Sequence, residues 1–377
     1  MNKLPHGRTG TKTAARRAVI LLALAFAAIL VALFVYPGRY GHTPAFRDAK
    51  GQMIPGSIAE MQRPVLGGVA QSVLIRGRNT GAPILVMLHG GPGSDETGMF
   101  RHYNAALEDH FIVVYWVQRG TGRSYSADIP VASMRRAQFV ADLDQLIESL
   151  KARFHQRQVV LLGHSWGSSL GVAYAQAHPG NVAAFVGVGL VVNAAEGERR
   201  SYAFTLGEAR RRGDAKAIAD LTRIGPPPYS FDSILVERGW MERYGGATYR
   251  PFPLWQMVLT SFRASEMTVF DGLNFIPGGM FSGNAMAAEN ARVDWPHTAT
   301  RFAMPVFIFA GRHDQNTPAS LAHEYFERID APAKTFIWFE QSAHSPPFEQ
   351  PRDFNAAIID TVLPVVLARP GRRRQDN

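Results

Sequence analysis

The chain has 377 residues, 46% apolar and 19% charged, which is ample material for a large core and excludes a disordered polypeptide. Cysteine is absent, which excludes disulfides, thiolate nucleophiles, iron–sulfur clusters and zinc–cysteine sites. The net charge of +9 is concentrated at the ends: Lys3, Arg8, Lys12, Arg16 and Arg17 stand without an acid in residues 1–17, Arg369, Arg372, Arg373 and Arg374 face only Asp376 in residues 369–377, and the body is left near +1, which argues against a nucleic-acid partner.

Residues 18–36, AVILLALAFAAILVALFVY, contain no charge. As a helix they would reach roughly 28 Å, enough to cross a bilayer. The run is longer than the apolar part of a cleaved signal peptide and ends in Val-Tyr-Pro-Gly. An uncleaved transmembrane anchor is therefore the expectation, with a secreted or periplasmic chain after signal cleavage as the alternative. The basic residues ahead of the run predict a cytoplasmic N-terminus, 1–17, and a catalytic domain on the opposite side of the membrane.

After a polar Pro/Gly-marked linker, 37–56, short apolar runs alternate with amphipathic segments, the pattern of an α/β protein with a mostly parallel sheet flanked by helices. Strands are predicted at 69–75, 84–88, 111–116, 159–162, 183–190, 306–310 and 335–339. A surface helix is predicted from Phe139, Leu143, Leu146, Ile147 and Leu150, with Asp142, Asp144 and Glu148 facing away. Further helices are predicted near 168–177, 319–329 and 353–367. Residues 193–298 break the rhythm with charged and aromatic helical stretches, and are read as a helical lid over the C-terminal edge of the sheet, where such sheets bind ligands. The core is thereby split into a first part, 57–192, and a second, 299–368, followed by the basic tail 369–377.

The chemistry lies in three segments. Gly163-His164-Ser165-Trp166-Gly167 follows a predicted strand and opens a predicted helix, the context in which G-x-S-x-G projects a serine above a sheet edge on a sharp turn. A serine hydroxyl needs a base, and the base needs an orienting acid. Asp314 lies just past one later strand and His344 just past the next, in the order Ser, acid, His. That order favours them over His297, His313 and His323. His89-Gly90-Gly91-Pro92-Gly93, after the strand at 84–88, fits an oxyanion loop. The N–H groups of Gly91 and Trp166 are assigned to the oxyanion, while Gln118 and Arg119 are read as braces beneath that turn. No H-E-x-x-H or similar ligand spacing occurs, so neither a metal nor a cofactor is expected.

Together with Trp116-Val117-Gln118-Arg119-Gly120-Thr121-Gly122-Arg123-Ser124, these motifs resemble the prolyl aminopeptidase (proline iminopeptidase) branch of the α/β-hydrolase superfamily, over about residues 60–360. The resemblance implies the α/β-hydrolase fold, Ser165 as nucleophile, Asp314 as acid, His344 as base, and a small-molecule or short-peptide substrate. It departs from the family pattern at Val117 and His164. The glutamates with which those aminopeptidases hold a substrate amine have no clear counterpart among Glu196, Glu198, Glu208, Glu237, Glu242 and Glu266. A carboxylesterase or lactonase on the same triad is the alternative activity, and a catalytically inactive binding protein the remote one.

Overall fold

A computed structural model of the chain describes residues 17, 19–28, 41–252, 254–261 and 263–368. Its centre is an eight-stranded sheet in the order β1-β4-β6-β5-β7-β8-β9-β10. The strands are β1 (Ile58–Gln62), β4 (Val73–Gly77), β5 (Ile84–Leu88), β6 (Ile112–Trp116), β7 (Val159–His164), β8 (Val182–Val188), β9 (Val306–Gly311) and β10 (Lys334–Phe339), while β2 (Val65–Leu66) and β3 (Val69–Ala70) form a separate two-stranded ribbon. The β1–β4 and β4–β6 pairs are antiparallel and every other pair in the large sheet is parallel.

The central strands are apolar on both faces because both faces are covered. Ile84, Val86 and Leu88 of β5 pack on one side with residues of α2 (Arg136–Arg153), α3 (Trp166–Ala177) and α10 (Ala319–Arg328). Leu85 and Met87 pack on the other with α1 (Thr97–Tyr103) and the C-terminal helical residues Phe354, Ile358, Val362 and Val366. The predicted strand at 69–75 is two elements, because Gln71 and Ser72 are buried and hydrogen-bonded out of the ladder: Gln71 Nε2 donates to Asp142 and Ser72 N–H to Ser124 Oγ.

Between β8 and β9 the chain forms α4 (Ala194–Arg212), α5 (Ala215–Ile224), α6 (Phe231–Arg243), α7 (Leu254–Ser261), α8 (Val269–Asn290) and α9 (Trp295–Thr298). Ala209, Ala217, Leu221, Trp240 and Tyr244 give this insertion its own small core. Asn193 caps α4, and Thr268 with Asp271 closes a reciprocal cap on α8. The insertion contacts the loops at the site edge of the sheet: among these contacts, Ser282 Oγ donates to Gly120 O (2.9 Å), the Gln315 N–H donates to Gly246 O (2.8 Å) and the His344 N–H donates to Ala247 O (3.1 Å).

Two expectations are corrected here. No helix among the described residues is long and apolar enough to cross a membrane. Of the expected anchor, residues 19–28 are helical, and residues 18 and 29–36 lie outside the described residues. The single-pass topology, the membrane as a partner and the localisation drawn from them fall with that helix. The basic segments 1–16 and 369–377 also lie outside the described residues.

Second, Asp142 does not face away from the core. It is fully buried and receives the guanidinium of Arg119, also fully buried, at 2.6 and 2.8 Å. Arg119 also donates to Ser133 Oγ and to the carbonyls of Leu66 and Gly67. Removing one partner strands a charge in the core, so Asp142→Ala is expected to cost about 3–5 kcal/mol of stability. Urea unfolding measures this, and a loss below about 1 kcal/mol would contradict the paired-charge account.

Candidate active site

Strands β5, β7, β8 and β9 run parallel, so their C-terminal ends open on one edge, and each delivers a loop there. The loop after β7 is the tightest. Ser165 adopts φ 53° and ψ −122°, a conformation that β-carbon-bearing residues rarely hold, and α3 starts at the next residue. The flanking glycines are required by close approach: a β-carbon on Gly163 would run into Gly167 O, and one on Gly167 into Leu88 O. The Ser165 N–H donates to Val188 O at 2.9 Å, and its hydroxyl makes no hydrogen bond among the described residues.

The loop after β9 carries Asp314, 1% exposed. One oxygen accepts the N–H groups of Asn316 and Thr317, both at 2.9 Å; the other accepts the Thr317 hydroxyl at 2.8 Å and faces His344 Nδ1 at 3.0 Å. The carboxylate is thus fixed by local turn bonds before it meets the histidine. His344, after β10, is also 3.2 Å from Thr317 Oγ1. Its ring lies over Gly189, next in sequence to the Val188 that holds Ser165: a β-carbon on Gly189 would come within 3.0 Å of the ring. The fold therefore sets Asp314 and His344 in contact, with the His344 ring beside the residue that follows Ser165's backbone partner. The competing histidines are elsewhere: His297 pairs with Asp294, His323 stacks on Trp338, and His313 packs on Tyr249.

The turn after β5 supplies backbone donors. Gly90 N–H is engaged by Glu96 Oε2 (3.2 Å), whereas Gly91, at φ 112°, makes no such bond among the described residues. Trp166 is the first residue of α3, so its N–H is one of the helix-start donors with no acceptor in the helix. Gln118 joins the two donor segments, giving its Nε2–H to His89 O (3.1 Å) and accepting from Trp166 Nε1 (3.0 Å). Gln118 N–H donates to His89 Nε2, so the buried ring carries its proton on Nδ1, facing Gly90 O; burial pulls its pKa below the ordinary 6.5. Gln118 thus braces the turn as the sequence predicts, whereas Arg119 is tied to Asp142, Ser133 and the carbonyls of Leu66 and Gly67 instead.

Two neighbours of the site have no signature in the sequence. Thr317 is one, although its place three residues after an aspartate is that of a turn-capping residue. Glu96 is the other: it meets His164 across 68 residues of chain at 2.7 Å. Of the glutamates weighed as amine anchors, Glu196, Glu198, Glu208, Glu237 and Glu266 are all ion-paired with arginines, and Glu198 and Glu237 share one cation, Arg238.

A sequence model described as the alpha/beta hydrolase family matches residues 85–357. The chain is 34% identical over 307 residues to the probable aminopeptidase YbaC of Bacillus subtilis, covering 80% of this chain and 96% of that one. It is 26% identical over 294 residues to the proline iminopeptidase of Heyndrickxia coagulans, covering 75% and 91% of the two chains. The crystal structure of the proline iminopeptidase of Mycobacterium smegmatis superposes with a TM-score of 0.58 at 18% identity, covering 82% of this chain and 99% of that one, a likeness of fold. A G-x-S-x-G turn at the C-terminal edge of a mostly parallel sheet and a family match across most of that sheet lead to one conclusion: the chain belongs to the alpha/beta hydrolase family, resembles the prolyl aminopeptidases within it, and is a hydrolase.

Proposed function

We propose that the chain is a serine hydrolase that works through an acyl-enzyme, with Ser165 as nucleophile, His344 as base and Asp314 as the group that orients and charge-balances His344. The observation that carries this reading is the Asp314–His344 contact at 3.0 Å, with the ring placed over the residue that follows Ser165's own backbone partner. His344 Nε2 takes the Ser165 proton as Oγ attacks the substrate carbonyl, and the N–H groups of Gly91 and Trp166 donate hydrogen bonds to the oxyanion. Collapse breaks the bond to the leaving group, which departs with the proton from His344. Water then attacks the ester, giving its proton to the same ring, and the ring passes it to Ser165 Oγ as the acyl–oxygen bond breaks and the acid product leaves. The helical insertion, 193–298, acts as a lid between the two parts of the core, 57–192 and 299–368, a role supported by its contacts at Gly120 and His344.

The substrate class proposed first is a short peptide cleaved at its N-terminal residue, in line with the names of the relatives that match most of the chain. One observation favours a second reading, a carboxylesterase or lactonase: five of the six insertion glutamates weighed as amine anchors are occupied by arginines among the described residues, and an ester needs no such anchor. Purified enzyme assayed on a prolyl anilide and on aryl esters of increasing acyl length separates the two. A kcat/KM at least tenfold higher for the anilide supports the peptidase reading; ester turnover rising with chain length while the anilide stays untouched supports the esterase.

A further inference from the structure

The side chain beside the serine, His164, is 3% exposed and has a defined partner on each ring nitrogen. Nδ1 is 2.7 Å from Glu96 Oε1, and Nε2 is 3.1 Å from the main-chain oxygen of His344. A carbonyl oxygen only accepts, so Nε2 carries a proton, and a carboxylate opposite Nδ1 calls for a second. The other oxygen of Glu96 accepts the Gly90 N–H at 3.2 Å. One continuous chain of bonds therefore runs from the turn that presents Gly91, through Glu96 and His164, to the backbone of the residue that carries the base.

We propose that His164, as an imidazolium held by Glu96, is a positioning residue of this hydrolase: it sets the distance between the oxyanion turn and the backbone of His344. The inference rests on the serine reading above and assigns His164 no contact with substrate. The groups that face it are Glu96 from the loop before α1, the Asp314 charge from the loop after β9, the His344 ring at 5.2 Å between centroids, Ser345 Oγ at 3.4 Å, the edge-on ring of Phe348 at 5.9 Å, and His89, which feels its charge. Burial acts to lower the pKa of His164. The charge and hydrogen bond of Glu96, the His344 carbonyl and Asp314 more than offset this, and the net shift is upward from 6.5.

His164→Leu removes the ring donor to the His344 carbonyl. Loss of that bond should lower kcat roughly ten- to a hundredfold, with KM changed less than about twofold, since ångström-scale misplacement acts on the chemical step.

Two measurements on the full chain test this. In ¹⁵N-labelled Ser165→Ala protein, the His164 ring is expected to hold protons on both nitrogens at pH 7, and Glu96→Gln to bring its titration down; a neutral His164 at pH 7 overturns the proposal, and this readout does not depend on turnover. In kinetics, His164→Leu is expected to show the kcat loss with KM nearly unchanged. A wild-type kcat in His164→Leu, with Ser165→Ala inactive, overturns the positioning role alone, whereas turnover retained by Ser165→Ala overturns the serine reading beneath it.

Discussion

Ser165→Ala is expected to lower kcat by a factor on the order of 10⁶ while leaving the fold intact. The loss is large because the neighbouring Ser168 hydroxyl is engaged elsewhere, donating to Ser165 O and accepting Val191 N–H. Stability should change by less than about 1 kcal/mol, because the Ser165 hydroxyl makes no hydrogen bond among the described residues and alanine meets the same backbone strain at φ 53°. Turnover on whichever substrate the enzyme prefers, paired with a denaturation curve, reads both. Turnover within tenfold of wild type would remove Ser165 from the chemistry.

Asp314→Asn is expected to reduce kcat by about 10⁴ with little effect on KM. In the serine mechanism proposed above, the carboxylate oxygen at 3.0 Å from His344 Nδ1 accepts a hydrogen bond from Nδ1–H, which leaves Nε2 free to take the proton of Ser165. An amide can present its NH₂ to Nδ1 instead, which selects the opposite tautomer and disables the base. The environment of Asp314 sharpens the expectation, since the N–H groups of Asn316 and Thr317 bind its other oxygen and fix which face of an asparagine would meet the ring. Thr317 Oγ1, 3.2 Å from the same nitrogen, is a weaker alternative acceptor, so Thr317→Val added to Asp314→Asn should deepen the loss. An Asp314→Asn enzyme within tenfold of wild type would show that His344 is oriented by something else.

Most of the sheet is legible in the sequence because buried parallel strands are continuous apolar runs: 84–88 coincides with β5, and the predictions at 111–116, 159–162, 306–310 and 335–339 fall within two residues of the observed ends. β1 is not legible. Its sequence, IAEMQ, pairs only with β4 and lies half exposed at the sheet edge, so nothing requires an apolar run there. The helix predicted at 353–367 is interrupted by a π-helical turn at Ile358–Val362, which apolar spacing does not encode. In the site, Ser165, Asp314 and His344 are each marked by their place after a strand. Asp142 is misread because an acid flanking an apolar stripe looks solvated, and only the fold shows that Arg119 reaches it. Glu96 escapes notice for a similar reason, since a Ser-Asp-Glu-Thr loop gives no sign that one carboxylate turns inward to a histidine 68 residues away. The membrane expectation fails where hydropathy stands alone, without a described helix long enough to use it.

In the mechanism proposed above, the Ser165 hydroxyl, activated by His344, is the atom that attacks substrate. Treating the folded enzyme with a fluorophosphonate and locating the adduct by peptide mass spectrometry probes that hydroxyl. One phosphonyl group per chain on Ser165, absent from Ser165→Ala and slowed at least a hundredfold in His344→Ala, is the predicted result. An active enzyme that takes no label, or takes it on another residue, would contradict it.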